Sequence, residues 1–416
     1  MFQLPPLSVL ILIGTFILVA IRQIGRFRLQ IWQIVLIGAV LVLLTGQISI
    51  AAAVSYIDPT VIVFLIGIFI VGEALTESGY MRSLVYRLFR RARSVDALVL
   101  LILFSMGFAS MFLLNDTVAV IGTPVVMLFA IREHINPKLM LLSLAFAVTI
   151  GSAMSPIGNP QNILIASSGI VGNPFASFFS YLALPTAINF IIAYLVLRFF
   201  YKNEFNGRQL IHAHMGIRDR ELARLCRMSL ALLAIAIVSD IILISSGSML
   251  RPNLAYLAVA AALPILIFSK KRYQIVLDID WSTIVFFIAL FVLVGSVWQS
   301  GFLQGFVSGH NIDLQSVPAI LMANVIGSQF ISNVPMVMIY IKLLSSMHVP
   351  VSVGIALAAG STIAGNLFIL GAASNVIILQ SAEKRYGQTL SFMDFAKIGS
   401  VVTALNVIVY WLFLAL

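Results

Sequence analysis

Long apolar runs, separated by short polar segments, dominate the pattern along the chain. Each run is about 15–24 residues long, as an α-helix needs to be to cross a hydrocarbon core of about 30 Å. Membrane β-strands would instead alternate apolar and polar residues over about ten positions. We therefore predict membrane-spanning helices at residues 7–22, 31–47, 59–76, 139–170, 178–200, 228–246, 254–268, 282–299, 353–381 and 395–416.

Two further apolar segments, 95–131 and 316–343, are too long for one crossing and are interrupted by polar residues near the middle. We predict that each is a re-entrant hairpin, which enters and leaves the membrane on the same side. A pair of full spans at each place would leave the rest of the topology unchanged. The charge pattern is compatible with both alternatives.

Composition supports a membrane protein and excludes a soluble one. Of the 416 residues, 61% are hydrophobic and 10% are charged, against about 25% charged in ordinary soluble proteins. Lipid must solvate most of this surface, and in lipid the backbone has to satisfy its own hydrogen bonds. We predict an all-α polytopic membrane protein with the lipid bilayer as its surroundings.

The net charge of +10 reflects loop positions and does not indicate nucleic-acid binding. With the N-terminus outside, all but two of the 25 Lys and Arg residues fall in predicted inner loops, the exceptions being Arg251 and Lys342. This bias follows the positive-inside rule. We predict a multi-pass protein of the cell inner membrane with both termini outside. The single Cys226 excludes a disulfide within the chain and a thiolate metal cluster.

The chain contains an internal repeat. Asp58–Gly79 aligns without gaps to Asp280–Gly301, with eight of 22 positions identical, including the Asp at the start and the Ser-Gly at the end. Further matches follow in the same order. They pair Asn115 with Asn333, Gly158 with Gly371, and Asn162 with Asn375.

We predict two inverted repeats, each with five spans, one re-entrant hairpin and one broken helix. The first covers residues 1–200 with hairpin 95–131, and the second covers 228–416 with hairpin 316–343. Residues 201–227 form a basic cytoplasmic linker. Inverted repeats whose broken helices meet at the membrane midplane are an architecture of secondary transporters.

Four polar interruptions of apolar helices, at 114–117, 155–162, 332–335 and 371–375, predict one shared site. At membrane depth, freed backbone groups are tolerated only against protein or a water-filled cavity. The alternative is that each interruption is a kink with a packing role. The predicted substrate-binding residues are Asn115, Thr117, Ser155, Asn159, Asn162, Ser332, Asn333, Ser374 and Asn375. The predicted Na⁺ ligands are Asn115, Asp116, Asn333 and Asn375.

Charged residues inside spans are few, so each one is informative. Asp116 is the predicted cation ligand or proton carrier, with a protonated or paired hairpin cap as the alternative. Glu73 lies late in its span, so we interpret it as a side chain that reaches the inner surface. For Asp240 a packing hydrogen bond and a functional role are equally open. Asp58 and Asp280 begin equivalent spans and are predicted N-caps.

Several enzyme signatures are missing, among them GxxxxGK[ST], HExxH, a CxxC pair and GxSxG. We therefore expect no enzymatic activity and no cofactor. A secondary transporter needs only a coupling ion, which we expect to be Na⁺ or H⁺.

Three segments together resemble the ion-transporter superfamily. It includes divalent-anion:sodium symporters, citrate-metal transporters, arsenite permeases, NhaD-type sodium/proton antiporters and the melanosomal P protein. The run NDTVAVIGTPVVMLFA (115–130) resembles the arsenite-permease and NhaD-type motif, and IGNPQNILIAS (157–167) is most similar to YbiR-like anion transporters. GNLFILGAASNVIILQSAEKRYGQTLSFMDFAKIG (365–399) is similar to the closing signature of the superfamily.

The resemblance implies a scaffold domain, often a homodimer interface, and a mobile transport domain that carries the hairpins and broken helices. In the symporters of this superfamily, Ser-Asn-Thr at each hairpin tip helps to bind Na⁺ and a substrate carboxylate. Here the second tip keeps Ser332 and Asn333 but has Val334 in place of Thr. The first tip places Leu114 and Asp116 around Asn115, which departs from the dicarboxylate pattern.

Our leading hypothesis is a secondary transporter of a small anion or oxyanion, coupled to Na⁺ or H⁺ by rigid motion of the hairpin domain. One alternative is a cation/proton antiporter with Asp116 as the exchanging carboxylate. Another is arsenite or antimonite extrusion, either alone or with a separate ATPase subunit. A non-transporting membrane scaffold or receptor is the fourth reading.

Overall fold

The computed structural model describes residues 5–21, 23–24, 27–28, 30–205, 219–246, 253–305, 315–345, 347 and 349–415. Helices carry the fold in this part of the chain, and its sheet is one antiparallel pair of two-residue strands, β1 (Gln23–Ile24) and β2 (Phe27–Arg28). Seven of the described helices are long and apolar enough to cross a membrane. The predicted all-α, multi-pass architecture is confirmed.

In the first half of the chain, the described residues form ten α-helices. They are α1 (Leu7–Ile21), α2 (Ile31–Leu44), α3 (Ile50–Tyr56), α4 (Pro59–Ser78), α5 (Tyr80–Phe89), α6 (Val95–Phe112), α7 (Asn115–Arg132), α8 (Pro137–Ser152), α9 (Pro160–Ser167) and α10 (Pro174–Phe200). The second half contributes α11 (Arg220–Ser245), α12 (Leu254–Phe268), α13 (Arg272–Asp278), α14 (Trp281–Gln299), α15 (Val317–Ile331), α16 (Asn333–Leu344), α17 (Val351–Ile363), α18 (Ala373–Tyr386) and α19 (Phe392–Leu414).

Some boundaries differ from the sequence prediction. The short helices α3, α5 and α13 lie where the sequence analysis placed loops. Helix α11 begins at Arg220, inside the range predicted as linker, because the Asp219 side chain accepts a hydrogen bond from the Leu222 backbone N–H at 3.0 Å and caps the helix. The middle of that linker, 206–218, lies outside the described residues, as does Arg251.

All four predicted interruptions are breaks between helices. Helices α6 and α7 are separated at 113–114, α8 and α9 at 153–159, α15 and α16 at Ser332, and α17 and α18 at 364–372, which contains two 3₁₀ turns. The re-entrant form of the first hairpin stays a prediction, since 18 residues in each arm give a length of about 27 Å, enough to cross a membrane.

Several contacts between helices occur twice, once for each half of the chain. Helix α4 packs on α12 while α14 packs on α2, and α18 packs on α7 while α16 packs on α9. Helices α10 and α19, which occupy the same place in each half, pack on each other. The opposite orientation of the halves and the domain limits at 200 and 228 stay predictions.

The repeated ends of α4 and α14 confirm the cap prediction. The Asp58 carboxylate accepts from the Thr60 backbone N–H at 2.8 Å, and the Asp280 carboxylate accepts from the Thr283 backbone N–H at 3.2 Å. At the other ends, Gly79 and Gly301 have φ of 67° and 72°, a left-handed conformation that favours glycine.

Candidate functional site

A cavity of about 280 Å³ lies where the four helix breaks meet. Every break contributes to its wall, and so do the starts of α2 and α14. The lining residues are Gln30, Ile31, Trp32, Asn115, Asp116, Pro160, Gln161, Asp280, Ser282, Thr283, Phe286, Phe287, Ser332, Asn333, Val334, Gly371, Ala372 and Ala373. We call this the central cavity. The structure therefore brings together segments that lie more than 250 positions apart along the chain.

Four helices that follow a break begin at the central cavity, in addition to α2 and α14. The first residues of α7, α9, α16 and α18 are Asn115, Pro160, Asn333 and Ala373, and each of them lines the wall. A helix N-terminus carries about half a positive charge, so these four contribute about +2 in total. Caps already take the N–H groups of Asp116 and Asn162, and the uncapped N–H groups of the first turns remain as donors. Such a wall favours an anion.

Two carboxylates face the same cavity, those of Asp116 and Asp280. Among its described lining residues none is Lys, Arg or His. The Oδ1 atom of Asp116 is buried and has no hydrogen-bond partner. It is Asn115 that caps at the hairpin tip, because its Oδ1 accepts from the Asp116 backbone N–H at 2.9 Å. The Asp116 carboxylate therefore does not serve as the cap of α7, and its buried Oδ1 is available to a ligand.

Two amide oxygens predicted as Na⁺ ligands are also buried without partners, Oδ1 of Asn333 and Oδ1 of Asn375. Their amide nitrogens are fixed, since Asn333 Nδ2 donates to the Gly371 carbonyl at 3.0 Å and Asn375 Nδ2 donates to the Gly365 carbonyl at 2.7 Å. Leaving a buried acceptor unpaired costs about 1–3 kcal/mol. Unpaired amide and carboxylate oxygens suit a hard cation, so the chemistry of Asp116 and Asn333, which line the central cavity, fits Na⁺. Asn375 lines neither this cavity nor the smaller one beside it, so its predicted role as a Na⁺ ligand and substrate contact stays a prediction.

The predicted site residues of the first broken helix have side chains that bond within the protein and, unlike Asn333, do not line the central cavity. Asn162 Nδ2 donates to the carbonyls of Ser152 and Ser155 at 3.0 and 2.9 Å, and Asn159 Nδ2 donates to Thr362 Oγ1 at 3.0 Å. None of Ser155, Asn159 and Asn162 lines the central cavity. In this conformation, Asn162 satisfies carbonyl groups at the break, and Asn159 joins the break to α17. Contact of these three residues with substrate stays a prediction.

Equivalent contacts join each hairpin tip to the broken helix of its own half. The Asn115 backbone N–H donates to the Gly158 carbonyl at 2.9 Å, and Asn333 Nδ2 donates to the Gly371 carbonyl at 3.0 Å. Likewise, Asn162 and Asn375 each donate to a carbonyl ten residues earlier. The repeat inferred from sequence thus extends to the hydrogen bonds of the site.

A smaller cavity of about 160 Å³ adjoins the central one, and Asp116 and Asp280 line both. Thr117 and Glu73 also line the smaller cavity. Glu73 is half-buried there, so it faces an internal space rather than only the inner surface. Ser374 is fully buried, its Oγ has no partner, and it lines neither cavity.

Sequence reasoning missed several polar residues at or near the site, among them Ser282 and Thr283 of the cavity wall. Asp280 was assigned only a cap, yet it also lines both cavities. Gln161 lines the central cavity, and Gln329 donates from Nε2 to the Ala364 carbonyl at 2.9 Å while its Oε1 stays unpaired. The position of Gln329 inside the apolar segment 316–343 was a signal that could have identified it.

Comparisons with known proteins show the family to which the chain belongs. A family model described as citrate transporter (CitMHS) matches residues 9–352, most of the sequence. The chain belongs to the citrate transporter family. An uncharacterised transporter of Mycobacterium tuberculosis is 28% identical over 96% of this chain and 95% of its own length. The family resemblance deduced from the sequence motifs is confirmed.

Two further relatives and one solved structure extend the comparison. The inner membrane protein YbiR of Escherichia coli is 28% identical over 79% of this chain and 81% of its own length. The human P protein is 22% identical over 94% of this chain and 57% of its own length. Among solved structures, the YdaH transporter of Alcanivorax borkumensis has a TM-score of 0.55 and 14% identity, covering 98% of this chain and 95% of that one. At this identity the similarity shows the fold. The protein is a multi-pass membrane transporter.

Proposed function

We propose that this transporter is a secondary active carrier of a small anion or oxyanion, coupled to Na⁺ or H⁺. The observation that carries the proposal is the wall of the central cavity, where four helix N-termini meet a buried, unpaired carboxylate. The N-termini supply donors for the anion. The Asp116 carboxylate, with the unpaired oxygen of Asn333, supplies acceptors for the coupling ion.

The charges of the wall give a reason for coupling. An anion about 4 Å from a carboxylate is repelled by about 4 kcal/mol at an effective dielectric constant of 20, which corresponds to about a thousandfold in affinity. Na⁺ or H⁺ on Asp116 removes that repulsion. Each ligand then raises the affinity of the other by the same factor, and an empty or doubly loaded carrier is favoured over a singly loaded one.

Alternating access would move the two hairpins and the broken helices as one rigid body against the remaining helices. The central cavity is bordered by the starts of α2 and α14, which carry Gln30 and Ser282. In the predicted topology both lie on the cytoplasmic side, so this conformation would exchange substrate with the cytoplasm. We also propose that the remaining helices form a homodimer interface.

Transport in proteoliposomes tests the proposal. Uptake of radiolabelled citrate, phosphate and sulfate is measured with and without Na⁺ and pH gradients. Wild-type protein should accumulate at least one of these anions when a gradient is imposed, and Asn333→Ala should lower that flux at least tenfold. Asn189→Ala is the matched control, since Asn189 is a buried asparagine outside both cavities. The absence of gradient-driven flux for all three anions would contradict the proposal.

A second candidate is cation/proton antiport, favoured by the two carboxylates and the lack of a basic residue among the described lining residues. It predicts Na⁺-dependent proton movement without any anion, measured with a pH-sensitive dye inside the liposomes. Asp116→Asn should abolish this exchange. Exchange that persists in Asp116→Asn would reject antiport through this residue.

A further inference from the structure

A separate cavity of about 300 Å³ lies beside α11, away from the central cavity. It shares no lining residue with the central cavity or with the smaller cavity next to it. Its lining residues are Thr60, Ala166, Ser167, Gly169, Val171, Gly172, Pro174, Asp240, Ile244, Asn253 and Leu254. We call it the α11 cavity.

Asp240 is the only ionisable residue among these described lining residues. It is 3% exposed, and its Oδ1 is buried without a hydrogen-bond partner. The packing hydrogen bond that the sequence left open is therefore not made by this oxygen to any described residue. A carboxylate inside a membrane protein is costly unless it is paired or protonated, and a position of this kind indicates a function.

The helix starts at this cavity do not supply the missing partner. Helices α4, α10 and α12 begin here, and cap side chains already accept from one or two of the first N–H groups of each. The Asn173 side-chain Oδ1 accepts from the Ala176 backbone N–H at 3.3 Å, the Asn253 side-chain Oδ1 accepts from the Ala255 backbone N–H at 2.9 Å, and α4 is capped as described above. Among the described residues, no donor pairs with Asp240 Oδ1.

We infer that the α11 cavity is a second cation site, occupied by a partly hydrated monovalent ion such as Na⁺. The ion would pair with the Asp240 carboxylate. The cavity wall adds hydroxyl oxygens of Thr60 and Ser167, and α9 ends there at Ser167, which places the negative end of that helix at the site. One water occupies about 30 Å³ of liquid, so the cavity has room for the ion and several waters. A single carboxylate does not meet the need of Ca²⁺ for six to eight oxygen ligands.

The position of α9 links this site to the substrate. The helix has eight residues, or about 12 Å at 1.5 Å per residue. It begins at the central cavity with Pro160 and Gln161 and ends at the α11 cavity with Ala166 and Ser167. An ion at Asp240 therefore fixes the far end of a helix whose near end faces the substrate. The inference does not depend on the proposed function, because the two sites have no residue in common.

Equilibrium binding of ²²Na⁺ to the purified full-length protein in detergent tests the inference, with choline chloride keeping the ionic strength constant. Asp240→Asn should bind about one Na⁺ per chain fewer than wild type. Asp116→Asn should retain the Na⁺ that Asp240→Asn loses, which separates this site from the central one. An unchanged stoichiometry in Asp240→Asn would overturn the inference and leave Asp240 as a packing residue.

Asp240→Glu serves as the second variant if Asp240→Asn does not yield monodisperse protein. It keeps the charge but moves the carboxylate by one methylene, so the Na⁺ dissociation constant of the Asp116-independent site should change at least threefold. An unchanged constant would equally reject the assignment. If the central site proves to use H⁺ rather than Na⁺, Asp116→Asn leaves Na⁺ binding unaltered, and the loss in Asp240→Asn is still expected.

Discussion

The tip of the second hairpin holds a strained residue whose cost can be measured. Ser332 has φ of 70° and ψ of 159°, a combination that only glycine adopts readily. Its backbone separates α15 from α16 and aims the start of α16, with Asn333, into the central cavity. Replacing Ser332 by Gly should relieve this strain, whereas replacing it by Ala should preserve it.

The magnitude follows from two opposing terms. A non-glycine residue in this region costs about 1–3 kcal/mol, and glycine loses about 0.5–1 kcal/mol through its greater freedom in the unfolded chain. Ser332→Gly should therefore be about 1 kcal/mol more stable than Ser332→Ala. Ser332→Ala should be close to wild type in stability, because the Ser332 hydroxyl has no hydrogen-bond partner among the described residues.

Unfolding of the three proteins in mixed detergent micelles, followed by circular dichroism, gives this difference directly. The comparison of Gly with Ala isolates the backbone, since neither side chain carries a polar group. Transport should move in the opposite direction, because a freer tip holds Asn333 less firmly toward the cavity. If the Gly variant is less stable than the Ala variant, the strain assigned to Ser332 is absent and the reasoning fails.

Two further predictions concern the supports of the site. Gly158→Ala should lower transport and should lower stability by about 1–3 kcal/mol, because the added Cβ would lie 2.5 Å from the Ser152 carbonyl oxygen. Gly14→Ala is the control, since a Cβ there meets nothing within 4 Å. Equal melting temperatures of the two variants would contradict the prediction. At the N-terminal end of α11, the Leu222 N–H and then Lys271, 3.3 Å away, hold the pKa of the Asp219 carboxyl below its ordinary value. The resulting stabilisation is present above the ordinary pKa of about 3.9 and is lost as the pH falls through the lower folded value. Lys271→Met should therefore lower the free energy of unfolding at pH 7 by less than about 1 kcal/mol, as for partly exposed pairs. The difference between the variant and the wild type should be smaller at pH 3. A difference that is independent of pH would reject this account.

Two structural links would connect the proposed sites. Asn159 donates to Thr362 across the two broken helices, and both side chains are buried. Helix α9 joins the central cavity to the α11 cavity. Coupling between distant sites requires elements of this kind, which two ligands can bias together.

The sequence alone determined the long apolar helices and where they break, but not the short helices α3, α5 and α13. These are local properties, because an apolar run of sufficient length must form a helix in lipid, and Pro160 or Gly371 interrupts it whatever lies nearby. The caps at Asp58 and Asp280 were also readable, since a cap depends on residues two or three positions away. The repeat identified which breaks correspond.

The tertiary structure decided which polar groups remain unpaired. Asn115 and Asn162 are both asparagines beside a helix break, yet one lines the central cavity and the other donates both amide hydrogens within its own break. Asp240 Oδ1 has no hydrogen-bond partner among the described residues, although three helices begin at the cavity that it lines. Whether a side chain is satisfied depends on neighbours that are distant in sequence, and only the packing of the helices brings those neighbours into place.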